Sequence, residues 1–168
     1  MNVILTGAPR TGKTTIIHKI ISKINKECAG FYTEEIKEKS RRMGFSLITL
    51  DNKTCILSHR HIKSRYRVGR YGVNLDCIEK IGVSAIRKGI EQNKIVIIDE
   101  IGKMEFYSKE FKDIVIKALD SNCKVLGTIL SRPHPFCDRI KKRGDVEIIE
   151  VTKENRDSLP AMIVKVIT

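Results

Sequence analysis

The chain contains no tryptophan, and aromatic residues make up only 5 % of it. With isoleucine and lysine abundant, that profile suits a heat-adapted or AT-biased source. No apolar run approaches the ~20 residues needed to cross a bilayer, which excludes a membrane span. No leader precedes the first candidate strand, so the cytoplasm is the expected location. The five cysteines, Cys28, Cys55, Cys77, Cys123 and Cys137, are odd in number and include no C-x-x-C pair. Neither a disulfide framework nor a zinc site is indicated; free thiols in a reducing compartment are expected. Linkers, internal repeats and low-complexity tracts are also missing. The 168 residues therefore read as a single domain, 1–168, large enough to bury a core. Nothing points to an assembly, and a monomer is the expectation.

What the chain has in excess is positive charge: 32 Lys and Arg against 20 Asp and Glu, a net +12. Such a protein attracts polyanions, nucleotides and nucleic acids alike, and charge alone does not separate them from a solvated lysine-rich surface. From Asn52 to Leu75 there is no acid, while Lys53, Arg60, Lys63, Arg65, Arg67 and Arg70 are interleaved with Tyr66 and Tyr71. The stretch reads as a loop over a triphosphate, a solvated loop or a nucleic-acid contact. His59-x-His61 lacks a third metal ligand.

Near the N-terminus, Gly7-Ala8-Pro9-Arg10-Thr11-Gly12-Lys13-Thr14-Thr15 fits G-x-x-x-x-G-K-[ST], the phosphate-binding loop of nucleoside-triphosphate proteins. Four fixed positions match by accident in roughly one chain in a hundred of this size, so context decides. Asn2 to Thr6 reads as a buried strand, and Ile16, Ile17, Ile20, Ile21 and Ile24 recur at helical spacing. Strand, glycine loop and helix are what the chemistry needs. Gly7 and Gly12 let amides turn inward on phosphate oxygens, and the helix N-terminus adds about half a positive charge. Lys13 is expected at the β- and γ-phosphates and Thr14 at Mg²⁺.

Further on, Gly30–Ile36, Gly44–Leu50 and Thr54–Ser58 read as short antiparallel strands, with Lys37–Met43 a charged turn. A helix over Leu75–Ile90 leads into the buried strand Lys94–Glu100; Ser108 caps a helix through Leu119. Val125–Leu130 is another buried strand, followed by a loop from Ser131 to Phe136 and a short basic helix to Arg143. A strand over Val146–Val151 precedes a last helix starting near Asn155–Ser158. The alternation implies a doubly wound α/β domain, mostly parallel, with a short antiparallel insertion or edge.

Asp99 closes a buried strand, where it can hold a Mg²⁺-bound water. Glu100, next to it, can orient or deprotonate the water in line with the γ-phosphate; its bland alternative is a turn cap or a pair with Lys103. Arg10, Arg42, Arg67 and Arg132 are candidates for charge on the transferring phosphoryl group, Arg132 and Arg10 foremost. Thr128 and Ser131 sit where a γ-phosphate can be sensed, although a satisfied strand hydroxyl serves equally for Thr128. No N-K-x-D base reader occurs. Asn155 and Arg156 can meet a base from the final loop, or Asn155 can cap the helix; base selectivity is expected to be poor.

These residues resemble the small P-loop nucleoside-triphosphatases known from thermophiles, whose animal relative is called the cancer-related nucleoside-triphosphatase. The resemblance runs in order through most of the chain. It includes Gly7–Thr15, Gly30-Phe31-Tyr32-Thr33-Glu34-Glu35, Arg42–Phe45, Val68–Val73, Ile98–Glu105, Leu126–Ile129 and Val151–Arg156. D-E-I-G-K-M-E together with G-F-Y-T-E-E is far more specific than the phosphate loop. The resemblance implies a RecA-like sheet and slow, Mg²⁺-dependent hydrolysis of several NTPs to NDP and phosphate. It departs at Arg10, where the family usually has glycine, and over Ser131–Pro135. A nucleotide or small-molecule kinase, and a nucleotide-gated nucleic-acid-binding module, are the alternatives.

Overall fold

The computed structural model describes residues 1–168. Its strands form a nine-stranded sheet. The parallel part is built from β1 (Asn2–Thr6), β2 (Cys28–Glu38), β7 (Ile95–Ile101), β8 (Val125–Ile129) and β9 (Val146–Glu150), in the order β2-β7-β8-β1-β9. The antiparallel part adds β3 (Arg41–Thr49), β4 (Thr54–His59), β5 (Arg67–Val68) and β6 (Tyr71–Val73) beyond β2. The β5–β6 hairpin, inside the acid-free stretch, makes this part larger than the three expected strands. No helix is long and apolar enough to cross a membrane.

Each parallel strand is apolar on both faces because helices cover both. Val3, Leu5, Ile95, Ile97 and Leu126 face α1 (Lys13–Ile21) and α5 (Leu159–Ile167), where Ile16, Ile17, Ile20, Leu159 and Ile163 pack with them. Ile4, Val96, Ile98 and Val125 face the opposite layer of α2 (Ser84–Glu91), α3 (Lys109–Asp120) and α4 (Pro135–Lys141). The alternation at single-residue spacing is the two-fold period of a strand made visible.

Local chemistry sets several boundaries. The Ser108 hydroxyl accepts from the Phe111 amide at 3.0 Å, the N-cap expected for α3. The expected turn over Lys37–Met43 shrinks to Lys39-Ser40, both at positive φ (48° and 63°), the backbone of a tight hairpin. The charged residues on either side belong to the strands, because cross-strand pairing continues to Glu38↔Arg41. The expected helix over Leu75–Ile90 winds as a π-helix over Cys77–Val83 before tightening into α2. The last helix runs from Leu159 with Ser158 at its N-cap, the late end of the expected start, while Asn155 serves the preceding turn.

One expectation fails outright. Cys55 of β4 and Cys77 of the π-helix form a disulfide, so the chain does not carry five free thiols. Packing of that helix against the antiparallel strands brings the two Cα atoms to 5.7 Å, within bridging range despite a separation of 22 residues. Cys28, Cys123 and Cys137 remain free, the last two buried.

Candidate active site

The site lies at the carboxyl ends of the parallel strands, as in open α/β sheets generally. β1 delivers the phosphate loop, β7 delivers Asp99 and Glu100, and β8, between them, delivers Thr128. Gly7 adopts φ 142°, and a Cβ there would meet the Val151 carbonyl at 2.8 Å, so backbone packing alone demands glycine. Gly12, at φ 98°, is the N-cap of α1. Arg10 also sits in left-handed space, at φ 63°, which is where a glycine would be free of strain.

Lys13 donates from Nζ to the carbonyls of Gly7 and Ala8, at 3.0 and 2.8 Å, which arches it over its own loop. Partial burial lowers its pKa, while Glu100 and then Asp99 pull it back up. The Thr14 hydroxyl donates to Asp99 Oδ2 at 2.9 Å, and the Thr128 hydroxyl donates to Oδ1 at 2.7 Å. Asp99 is only 2 % exposed. Burial pushes its pKa up, against hydrogen bonds from Thr128, Thr14 and the Thr33 amide that favour the charged form. Thr128 is thus a fastener of Asp99 as well as a residue of the cleft.

Glu100 projects into the cleft and is exposed there. Surrounding protein, then the charge of Asp99, raises its carboxyl pKa; Lys13 opposes the shift. Glu105, four per cent exposed, is held well above the usual carboxylate range by burial first and by Glu100 second.

The cleft has a volume of about 760 Å³. Arg10, Gly12, Lys13, Thr14, Asp99 and Glu100 all line it. Its other wall comes from the antiparallel part: Thr33, Glu34, Glu35, Arg42 and Phe45. The motifs G-F-Y-T-E-E and Arg42–Phe45 carried these residues in the sequence, but no spacing rule sends Thr33 to Asp99. Arg42 stands 3.5 Å from Glu35 and 5.4 Å over the Phe45 ring.

The other candidates separate. Arg132 and Ser131 line a cavity adjoining the cleft on the Glu100 side. Arg67 lies farther out, with Gly69, Tyr107 and His134. None of the basic residues between 53 and 70 lines the phosphate cleft, so that stretch is not folded over the phosphate loop. The His59 and His61 rings lie 5.2 Å apart, and no group of three or more His, Cys, Asp or Glu side chains gathers to hold a metal. Asn155 has both ends of its carboxamide engaged: Oδ1 accepts from the Thr152 amide at 2.9 Å, and Nδ2 donates to the Glu150 carbonyl at 2.8 Å. Arg156 comes close to the loop instead; a Cβ on Gly12 would lie 3.9 Å from its Cδ.

The donor set suits a hard cation. Two oxygens from Thr14 and Asp99, next to a triphosphate, are the sparse protein contribution that Mg²⁺ commonly receives, the remaining positions going to water and phosphate. With the Thr14 hydrogen directed at Asp99, its lone pairs stay available.

A family model described as NTPase matches residues 2–164. The nucleoside-triphosphatase THEP1 of Thermotoga sp. RQ2 is 44 % identical over 167 residues, covering 99 % of this chain and 95 % of the relative. The mouse cancer-related nucleoside-triphosphatase homolog is 37 % identical, with 99 % and 96 % covered. The crystal structure of THEP1 from the hyperthermophile Aquifex aeolicus superposes with a TM-score of 0.91 at 38 % identity, covering 99 % of both chains. Sheet order, phosphate loop and whole-length similarity agree, and the chain belongs to the NTPase family that includes the nucleoside-triphosphatases of thermophiles and their animal relatives.

Proposed function

We propose that the chain, acting as one domain over 1–168, hydrolyses ATP, GTP and other nucleoside triphosphates to the diphosphate and phosphate, depends on Mg²⁺ and selects little among bases. The observation that carries this reading is the Thr14–Asp99 contact at 2.9 Å with Glu100 adjacent and open to the cleft. A hydroxyl–carboxylate pair beside a second carboxylate that faces the cleft is what supports a cation seat and a base acting on one phosphate.

The loop amides between Gly7 and Thr15, Pro9 excepted, and the N-terminus of α1 receive the phosphates. Lys13 exchanges its carbonyl partners for β- and γ-oxygens, whose charge favours its protonated form. Thr14 and Asp99 would hold Mg²⁺, and the ion would supply positive charge to offset that of the phosphates. Glu100 accepts a hydrogen bond from a water in line with the γ-phosphorus and takes its proton as the bond to the diphosphate breaks. Its raised pKa moves it toward the operating pH, which favours a base. Arg132, which lines the adjoining cavity together with Glu100, stabilises the charge on the moving phosphoryl group, with Arg10 able to do so from within the loop. Arg156 is the residue placed to touch the nucleoside, and a single flexible cation reads no base pattern.

The deciding experiment is phosphate release from ATP, GTP, CTP and UTP with Mg²⁺ and no acceptor, for the native protein, Lys13→Ala and Glu100→Gln. Release from all four that Lys13→Ala loses is expected. Wild-type release by Lys13→Ala would remove the phosphate-loop assignment. A chelator should stop the reaction; continued release would remove the cation from it.

A further inference from the structure

The cavity beside Glu100 is larger than hydrolysis requires. It encloses about 300 Å³, whereas one attacking water occupies ~30 Å³. That places it at the lower end of small-molecule pockets. It is continuous with the phosphate cleft, since Pro9, Thr33, Phe45 and Glu100 line both. Its walls are largely apolar: Phe45, Leu57, Val68, Met104 and Leu130. A hydrolase gains nothing from an apolar chamber on the nucleophile side. A transferase does, because such a wall orients the body of an acceptor and excludes competing water.

The charges narrow the class of acceptor. Two acids, Glu100 and Glu105, and two bases, Lys103 and Arg132, line the cavity. Burial holds Glu105 toward its neutral form and Arg132 is engaged by the phosphoryl group, so the charges left to an acceptor, those of Glu100 and Lys103, balance. An anionic head at the Glu100 end would meet its carboxylate; a cationic head would pair with Glu100 and occupy the base. Glu105 is buried, and its hydrogen bonds come from backbone amides, its own and that of Gly102. It can receive or offer one hydrogen bond to a neutral polar group. On the far side, Val68 and Lys103 are shared with an outer depression of about 460 Å³ bordered by Phe106, Tyr107 and His134, an open approach from solvent.

We propose that this cavity is a second-substrate pocket for a small uncharged alcohol with an apolar body, and that the enzyme transfers the γ-phosphoryl group to its hydroxyl. The inference rests on the phosphate-loop reading above and gives that site a second nucleophile. The hydroxyl oxygen forms a bond to the γ-phosphorus as the bond to the bridging oxygen breaks. The electron pair of that bond leaves with the diphosphate. The hydroxyl proton passes to Glu100 and then to water. The products are a phosphate monoester and NDP in equal amounts.

The test uses benzyl alcohol and methanol as probes with γ-labelled ATP and Mg²⁺. Benzyl phosphate should form in step with ADP, saturate with benzyl alcohol and exceed methyl phosphate at least tenfold at equal molarity. In a methyl-labelled sample, the Met104 methyl resonance should shift saturably with benzyl alcohol. Met104→Trp, which fills the chamber, should lose the ester. ATP consumed with all label recovered as inorganic phosphate would overturn the inference and leave the hydrolase reading intact. Ester formed equally from both alcohols, rising in proportion to molarity, would also overturn it, since bulk nucleophiles need no pocket. Binding at Met104 without ester would reduce the cavity to a binding site and sink the transfer step. No consumption of ATP under any condition would overturn the hydrolase reading as well.

Discussion

The two parts of the sheet differ in what they contribute. In the parallel part, the start of α1 after β1 supplies Lys13 and Thr14, and β7 and β8 supply Asp99, Glu100 and Thr128, groups that would meet phosphate, cation or water. The antiparallel part supplies surface: Phe45, Leu57 and Val68 wall the adjoining cavity, and Glu35 and Arg42 wall the cleft. It also carries the disulfide. The first set stands at strand ends covered on both faces, where packing over-determines side-chain positions. The second stands on strands that run out to the sheet edge at β5. β2 belongs to both, pairing with β7 through Phe31 and with β3 from Phe31 onward.

The sharpest test of that division is Glu100→Gln. Hydrolysis should fall by about 10²–10⁴-fold, the usual worth of a general base, with NTP affinity retained in an equilibrium titration. A wild-type rate would make Glu100 a structural residue and move the chemistry elsewhere. The pH profile offers a second reading of the same group. Because its pKa is raised above 4.5 and the base must be deprotonated, kcat/KM should fall as the pH drops through a value above that range. An acid limb at the ordinary glutamate value would detach Glu100 from the rate.

The antiparallel part should respond to lesions in the opposite way, in stability before rate. Cys55→Ser opens a loop of 22 residues and should cost about 3 kcal/mol by urea unfolding, on the chain-entropy account of cross-links. Equal unfolding midpoints with and without a reductant would show that the bridge does not form in solution.

Glu105 lies at the junction of the two parts. Its pKa is raised in the folded state, so its contribution to stability is full below the unfolded value and is lost as the pH rises through the folded value. Glu105→Gln should therefore raise the melting temperature at neutral and alkaline pH and not at acid pH; a uniform shift would mean the charge is irrelevant. The smallest effect belongs to Arg10→Gly. Relief of the left-handed backbone at φ 63° should stabilise the fold by about 0.5 kcal/mol. If it also slows phosphate release while Arg132→Ala does not, the loop arginine is the one that meets the phosphoryl charge.

Much of this was legible beforehand, for particular reasons. The phosphate loop is a local motif: its turns, amides and lysine lie within nine residues, so spacing alone specifies geometry. Lys94–Glu100 announced itself by four consecutive β-branched residues before two acids, and Ser108 by its place ahead of an amphipathic helix. The β5–β6 hairpin was hidden because its strands are two and three residues long, too short to show a period. Asn155 was ambiguous because one carboxamide can serve a base, a helix or a turn; its partners, Thr152 and Glu150, are chosen by the chain path after β9.

By itself the sequence determined the phosphate loop, the acids at the end of β7, the two-faced burial of the parallel strands and the family they imply. These depend on residue type at short spacing, which sterics and hydrophobic periodicity translate directly into local structure. Only the tertiary structure decided that Thr128 and Thr33 fasten Asp99, that Cys55 meets Cys77, that the basic stretch lies away from the phosphate loop, and that an apolar chamber opens beside Glu100. The fastening contacts and the disulfide join residues 22 or more positions apart. Such contacts are set by sheet order and packing, which no short-range pattern encodes.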